Sequence, residues 1–124
     1  MSGVRSFRDL LVYQTSRDVS RLARQYARLL PSDERFALSS QLRRAADSVV
    51  LNTAEGYGIG TTQATLRHLR IARGSLCEVR AALDIAQDSQ FAPVPTELLD
   101  SLDHTARLLH GLIKSLNNPP TTPD

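Results

Sequence analysis

The chain has 124 residues and a mass of 13.7 kDa, room for one domain with an ordinary core and too little for two. Hydrophobic residues make up 41% and charged residues 23%, a balance that excludes an intrinsically disordered chain, and a single cysteine, Cys77, excludes an internal disulfide. Lys plus Arg total 15 against 13 Asp plus Glu, and the resulting +2 with a pI near 9.1 keeps nucleic acid among the partners worth weighing.

The first predicted helix runs from about Phe7 to Leu30, with Ser6 as its N-cap. Its apolar stripe is Phe7, Leu10, Leu11, Val19, Leu22, Tyr26 and Leu29, with a gap from Gln14 to Asp18. Pro31 ends it, because the residue before a proline avoids the helical region. A second helix is expected after Ser32, with the stripe Phe36, Leu42, Ala45, Ala46, Val49 and Thr53, and it should fail at Gly56, Gly58 and Gly60. The third starts at Thr61 or Thr62 and carries Leu66, Leu69, Ala72, Leu76, Val79, Leu83 and Ala86. Gly74 inside it costs about 1 kcal/mol relative to Ala, which predicts a close backbone neighbour there. Pro93 and Pro95 make the next break, and Thr96 is expected to cap a last helix with Leu98, Leu99, Leu102, Leu109, Leu112, Ile113 and Leu116 on one face.

No segment alternates with period two, so the pattern predicts an all-α fold, an antiparallel up-down four-helix bundle. Residues 1–6 read as an N-terminal extension, 7–117 as the bundle and 118–124 as a disordered tail. No apolar run approaches the roughly 20 residues of a membrane span, and the first 30 residues hold no signal-peptide core, so a cytoplasmic protein without membrane contact is expected. Val12, Val50, Leu51, Ile59, Ile71 and Ile85 fall beside the main stripes, which predicts a second buried surface between copies of the chain.

Catalytic patterns are missing. None of Glu34, Glu55, Glu78 and Glu97 has a histidine three positions later, as a di-iron bundle requires, and His68, His104 and His110 are scattered. Gly56, Gly58 and Gly60 follow a helix, whereas a nucleotide-binding glycine loop follows a strand. Cys77 has no base partner in sight and reads as a buried small hydrophobe. The expectation is a non-enzyme without cofactor or metal.

The arginines carry more pattern. Arg17, Arg21, Arg24 and Arg28, spaced by four, three and four, share one helix face; Arg67, Arg70, Arg73 and Arg80 form a second row. Such rows are either solvated faces or phosphate-binding surfaces. Arg43 with Asp47 and Arg80 with Asp84 are spaced for ion pairs within one helix turn, each worth a few tenths of a kcal/mol. Glu55, near a helix C-terminus, opposes the dipole and calls for a cationic partner, for which an arginine of another helix or subunit would serve.

Several of these residues together resemble a known family. Phe7-Arg8-Asp9-Leu10 with Val12-Tyr13, then Arg43-Arg44-Ala45-Ala46, Ser48-Val49, Asn52 and Ala54-Glu55-Gly56-Tyr57-Gly58, are similar to motifs of the bacterial four-helix-bundle proteins first noticed in intervening sequences of 23S ribosomal RNA genes. Leu69, Ile71-Ala72-Arg73-Gly74-Ser75-Leu76, Glu78 and the closing Gly111-Leu112-Ile113-Lys114-Ser115-Leu116 extend the likeness over about residues 7 to 116. The resemblance implies an up-down bundle that assembles into a ring-like homopentamer. A related branch, the accessory variability determinant of diversity-generating retroelements, binds nucleic acid and a reverse transcriptase, which implies the same partner classes here. It marks Asn52, Glu55, Gly56, Tyr57, Gly58, Gly74, Ser75 and Glu78 as structural or interface residues. Arg43, Arg44 and Arg73 are either their partners or, with Arg17, Arg21, Arg24, Arg28, Arg67 and Arg70, candidates for contact with RNA or DNA. The chain departs from the family pattern at Val50, where a proline is common, at Ile59, where a base is common, at Ala64, where an acid is common, and at Tyr13, where tryptophan is commoner. The functional expectation is a non-catalytic homo-oligomer binding RNA or DNA through arginine, the alternative a structural or protein-interaction module.

Overall fold

A computed structural model describes residues 6–118. Four helices follow in order: α1 (Leu11–Ala27), α2 (Leu38–Ile59), α3 (Thr62–Asp88) and α4 (Thr96–Asn117), with 3-10 turns at Phe7–Asp9 and Ser32–Glu34. The described residues contain no strand. Each helix packs on two neighbours, α1 on α2 and α4, and α3 on α2 and α4, so α1 faces α3 and α2 faces α4 across the diagonal. Short links make successive helices antiparallel, and the fold is the expected four-helix bundle. The expected extension 1–6 and tail 118–124 fall almost wholly outside the described residues.

The core is aliphatic, with Leu42, Leu69, Leu83, Leu98, Leu102 and Leu109 fully buried, each worth about 1.5–3 kcal/mol of removal from water. The gap in the first stripe is filled by Thr15 and Ser16, buried because their hydroxyls donate to the Val12 carbonyl at 3.2 and 2.6 Å. Among the described residues no buried side-chain polar atom lacks a partner.

Several boundaries differ from expectation. Ser6 does cap, accepting from the Arg8 N–H at 3.1 Å, but it caps the 3-10 turn, and an extended Leu10 separates that turn from α1. Phe7 packs edge-on to Tyr13, with ring centroids 4.9 Å apart, which ties the turn to the first turn of α1. With α1 starting at Leu11, Val12 rather than Leu11 turns inward, and Val12 is core, not a surface residue. At the other end α1 stops at Ala27; the chain unwinds before Pro31, so Leu30 is buried and Leu29 is exposed.

Ser32 opens only the second 3-10 turn, and α2 begins later, at Leu38. Phe36 therefore sits in the link, outside any helical register, and is 86% exposed instead of lying on a core stripe. At the far end α2 does not fail at the first glycine. It runs through Gly56 and Gly58 and stops at Gly60, whose φ of 88° supplies the left-handed cap. Thr61 caps α3 as expected, accepting from the Ala64 N–H at 3.2 Å. Thr96 is the first residue of α4 rather than its cap; Pro95 holds the cap position and offers no side-chain oxygen.

Candidate nucleic-acid interface

The α1 arginines lie on the outer surface beside α2, and α2 neutralises one of them. Asp47 forms a close ion pair with Arg24 and accepts from the Ser20 hydroxyl at 2.8 Å, so its partner is on α1 rather than Arg43, one turn away on its own helix. Arg21 reaches Asp18 at 3.5 Å, and Arg17 stands over the Tyr13 ring at 5.8 Å. Arg28 is exposed with no carboxylate within ion-pair distance among the described residues.

The α3 row turns toward α4. Arg80 pairs with Asp103 at 2.5 Å instead of with Asp84, and Arg70 donates to the Asn117 side-chain oxygen at 3.0 Å. In both corrected pairs the partner stands on the neighbouring helix rather than one turn away on the same helix. Arg67 and Arg73 are exposed without a carboxylate partner among the described residues. The two rows thus occupy separate faces of one chain, α1 beside α2 and α3 beside α4, and Arg44 lies between them in the α2–α3 groove. Arg43, half-buried on α2, joins neither row.

The residues singled out on α2 and α3 do come together. The Ser48 and Ser75 hydroxyls meet at 2.7 Å across the two helices. Asn52 donates through Nδ2 to the Ser48 carbonyl at 2.9 Å and to its hydroxyl at 3.0 Å, leaving Oδ1 to accept from His68 Nδ1 at 2.9 Å. Glu55 lies 3.8 Å from the same ring nitrogen, so its neighbour within the chain is a histidine, and no arginine of another helix lies within ion-pair distance of it among the described residues. His68 was not among the candidate residues; only the tight Gly60–Thr61 turn, which sets the α2–α3 register, could have placed it opposite Asn52.

Gly56 supplies the close approach expected at Gly74. Its carbonyl accepts from the buried Thr65 hydroxyl at 2.8 Å, and a Cβ at this position would lie 2.9 Å from His68 Cβ. Gly58 and Gly74 are exposed, with nothing within 4 Å of an added Cβ. Tyr57 packs half-buried against the core, and burial pushes its phenol pKa above the ordinary value of 10.0. Glu78 is exposed and shares a groove of about 370 Å³ with Arg44, Ser48 and Ser75. Cys77 is exposed, not buried: Leu76 takes the inward position and the next residue turns a further 100° away.

No group of three or more metal-ligating side chains occurs among the described residues, and no helix there is long and apolar enough to cross a membrane. No curated protein matches the chain. The family model of the 23S rRNA-intervening sequence protein matches residues 8–111, from the first 3-10 turn into the last two turns of α4. With that match spanning both arginine rows and the whole α2–α3 polar network, the chain belongs to the 23S rRNA-intervening sequence protein family.

Proposed function

We propose that this protein is a non-catalytic, cytoplasmic homopentamer that binds RNA or DNA through its arginine-rich surfaces. The observation that carries this reading is the set of guanidinium groups left without acids: of the nine candidates, only Arg21 and Arg24 meet a carboxylate among the described residues. Arginine suits the role because its planar fork donates bidentately to phosphate. Self-association is supported by Leu51, Ile59, Ile71 and Ile85, which are large, apolar and 41–64% exposed in the single chain. Five copies at +2 each would carry about +10, enough to attract a polyanion.

The test is titration of labelled duplex and single strands at two salt concentrations. Sequence-tolerant binding is expected, with a log–log salt slope of about −0.9 per phosphate contact on duplex DNA. Replacing Arg28 and Arg73 by alanine should weaken binding evenly across sequences and reduce the slope by about 1 per lost contact. Absence of binding at low salt would overturn the reading. A second reading, a structural or protein-interaction module with no nucleic-acid role, draws on the inward-turned polar network, in which Asn52 and Ser75 spend their hydrogen bonds within the chain. It predicts an assembly whose mass is intact and whose nucleic-acid affinity is nil.

A further inference from the structure

The groove between α2 and α3 has a polar lining that neither the core nor the arginine rows explain. Gln41, Arg44 and Glu78 are exposed at its rim, and Ala45, Ser48 and Ser75, buried or half-buried, lie beneath them around a space of about 370 Å³. Arg44 and Ser48 are one turn apart on α2, as Ser75 and Glu78 are on α3, so each helix sets one charge and one hydroxyl into the same groove. Arg44 and Glu78 have opposite charges, yet neither comes within ion-pair distance of the other or of any other charged group among the described residues. The two serine hydroxyls carry two hydrogens, and their 2.7 Å contact uses one. Asn52 Nδ2, 3.0 Å from the Ser48 hydroxyl oxygen, is itself a donor and accepts neither. Whichever serine donates to the other, one hydroxyl hydrogen is left without an acceptor in the chain among the described residues.

From this arrangement we infer that the α2–α3 groove is a binding site for a small zwitterion of amino-acid size, a molecule carrying one carboxylate and one ammonium. The carboxylate accepts from the planar fork of Arg44 and from the remaining hydroxyl hydrogen, and the ammonium, which only donates, is held by Glu78. Opposite charges kept apart across one space are complementary to a ligand that carries both signs. Glu78 repels a phosphate and Arg44 repels a simple amine, so either charge alone is a poor fit. The space is of the size that small-molecule sites occupy, about 300–1,000 Å³. The inference goes beyond nucleic-acid binding and rests neither on it nor on self-association.

Amide-resolved NMR titration of the full chain with L-alanine tests it, with acetate, methylammonium and inorganic phosphate as single-charge probes at equal ionic strength. Saturable shifts of the Ser48 and Ser75 amides are expected with L-alanine, and binding weaker by about tenfold or more with each single-charge probe. Arg44→Gln and Glu78→Gln change exposed side chains that hold nothing within the chain, and each should weaken L-alanine binding by about tenfold or more. Arg107→Gln, on the exposed side of α4, should leave it unchanged. Shifts that rise linearly with L-alanine and never saturate would overturn the inference. Acetate or phosphate binding as tightly as L-alanine would also overturn it, since that pattern belongs to an anion on Arg44 alone. So would L-alanine binding that survives Glu78→Gln. None of these outcomes bears on titration with RNA or DNA.

Discussion

Tyr26 has a large, fully buried side chain, 1% exposed, and its hydroxyl donates to the Ala92 carbonyl in the α3–α4 link. One side chain thus ties the end of α1 to the opposite loop. Burial pushes its phenol pKa above 10.0, so the folded chain holds the proton that the unfolded chain releases first. Stability from this group is complete below about pH 10, the free-phenol value, and drains away as pH rises through the folded value. Tyr57 adds a loss of the same sign. Tyr26→Phe should cost about 1 kcal/mol at neutral pH through the lost hydrogen bond, and should flatten part of the alkaline decline in melting temperature. An unaltered decline would show that Tyr26 does not carry it. Single residues were also where sequence pattern misled: Phe36, Leu29 and Cys77 each have an apolar or small side chain that composition sends inward. Their exposure depends on where a helix starts, stops or turns, which no individual residue encodes.

At the scale of elements, the sequence made four helices legible because their apolar stripes are long and three- or four-residue spacing is unambiguous. The ends were less so. The glycines of α2 illustrate why, since a glycine signals either a stop or a close neighbour, and only the partner helix decides which. Gly56 faces His68 and Thr65, Gly58 faces open space, and Gly60 holds a positive φ. Three outcomes follow for alanine substitution, read by chemical denaturation. Gly56→Ala should destabilise by about 1–3 kcal/mol through overpacking. Gly58→Ala, two residues away in the same helix, should stabilise by about 0.5–1 kcal/mol through helix propensity. Gly60→Ala should cost about 1 kcal/mol, the penalty of a left-handed L-residue. Equal effects at Gly56 and Gly58 would contradict the assigned close approach. The polar network was half legible: Asn52, Glu55 and Ser75 stood out by their place in the family motifs, while His68 did not, because nothing local links it to a residue 16 positions earlier.

Over the whole molecule, the four helices cover one core and leave several large apolar side chains outside it. The single bundle covers its core, with Leu69, Val79, Leu98 and Leu109 at 0% exposure, yet keeps Leu51, Ile71 and Ile85 outside. It also splits its arginine rows between the α1–α2 and α3–α4 sides, with Arg44 between them in the α2–α3 groove. That arrangement was not legible in the sequence, since helix spacing tells which residues share a stripe but not which helix lies next to it. The most direct test is the mass of the purified chain in solution by sedimentation equilibrium at low micromolar concentration. The account predicts a single species of about five times 13.7 kDa, and a particle of 13.7 kDa across the concentration range would contradict it.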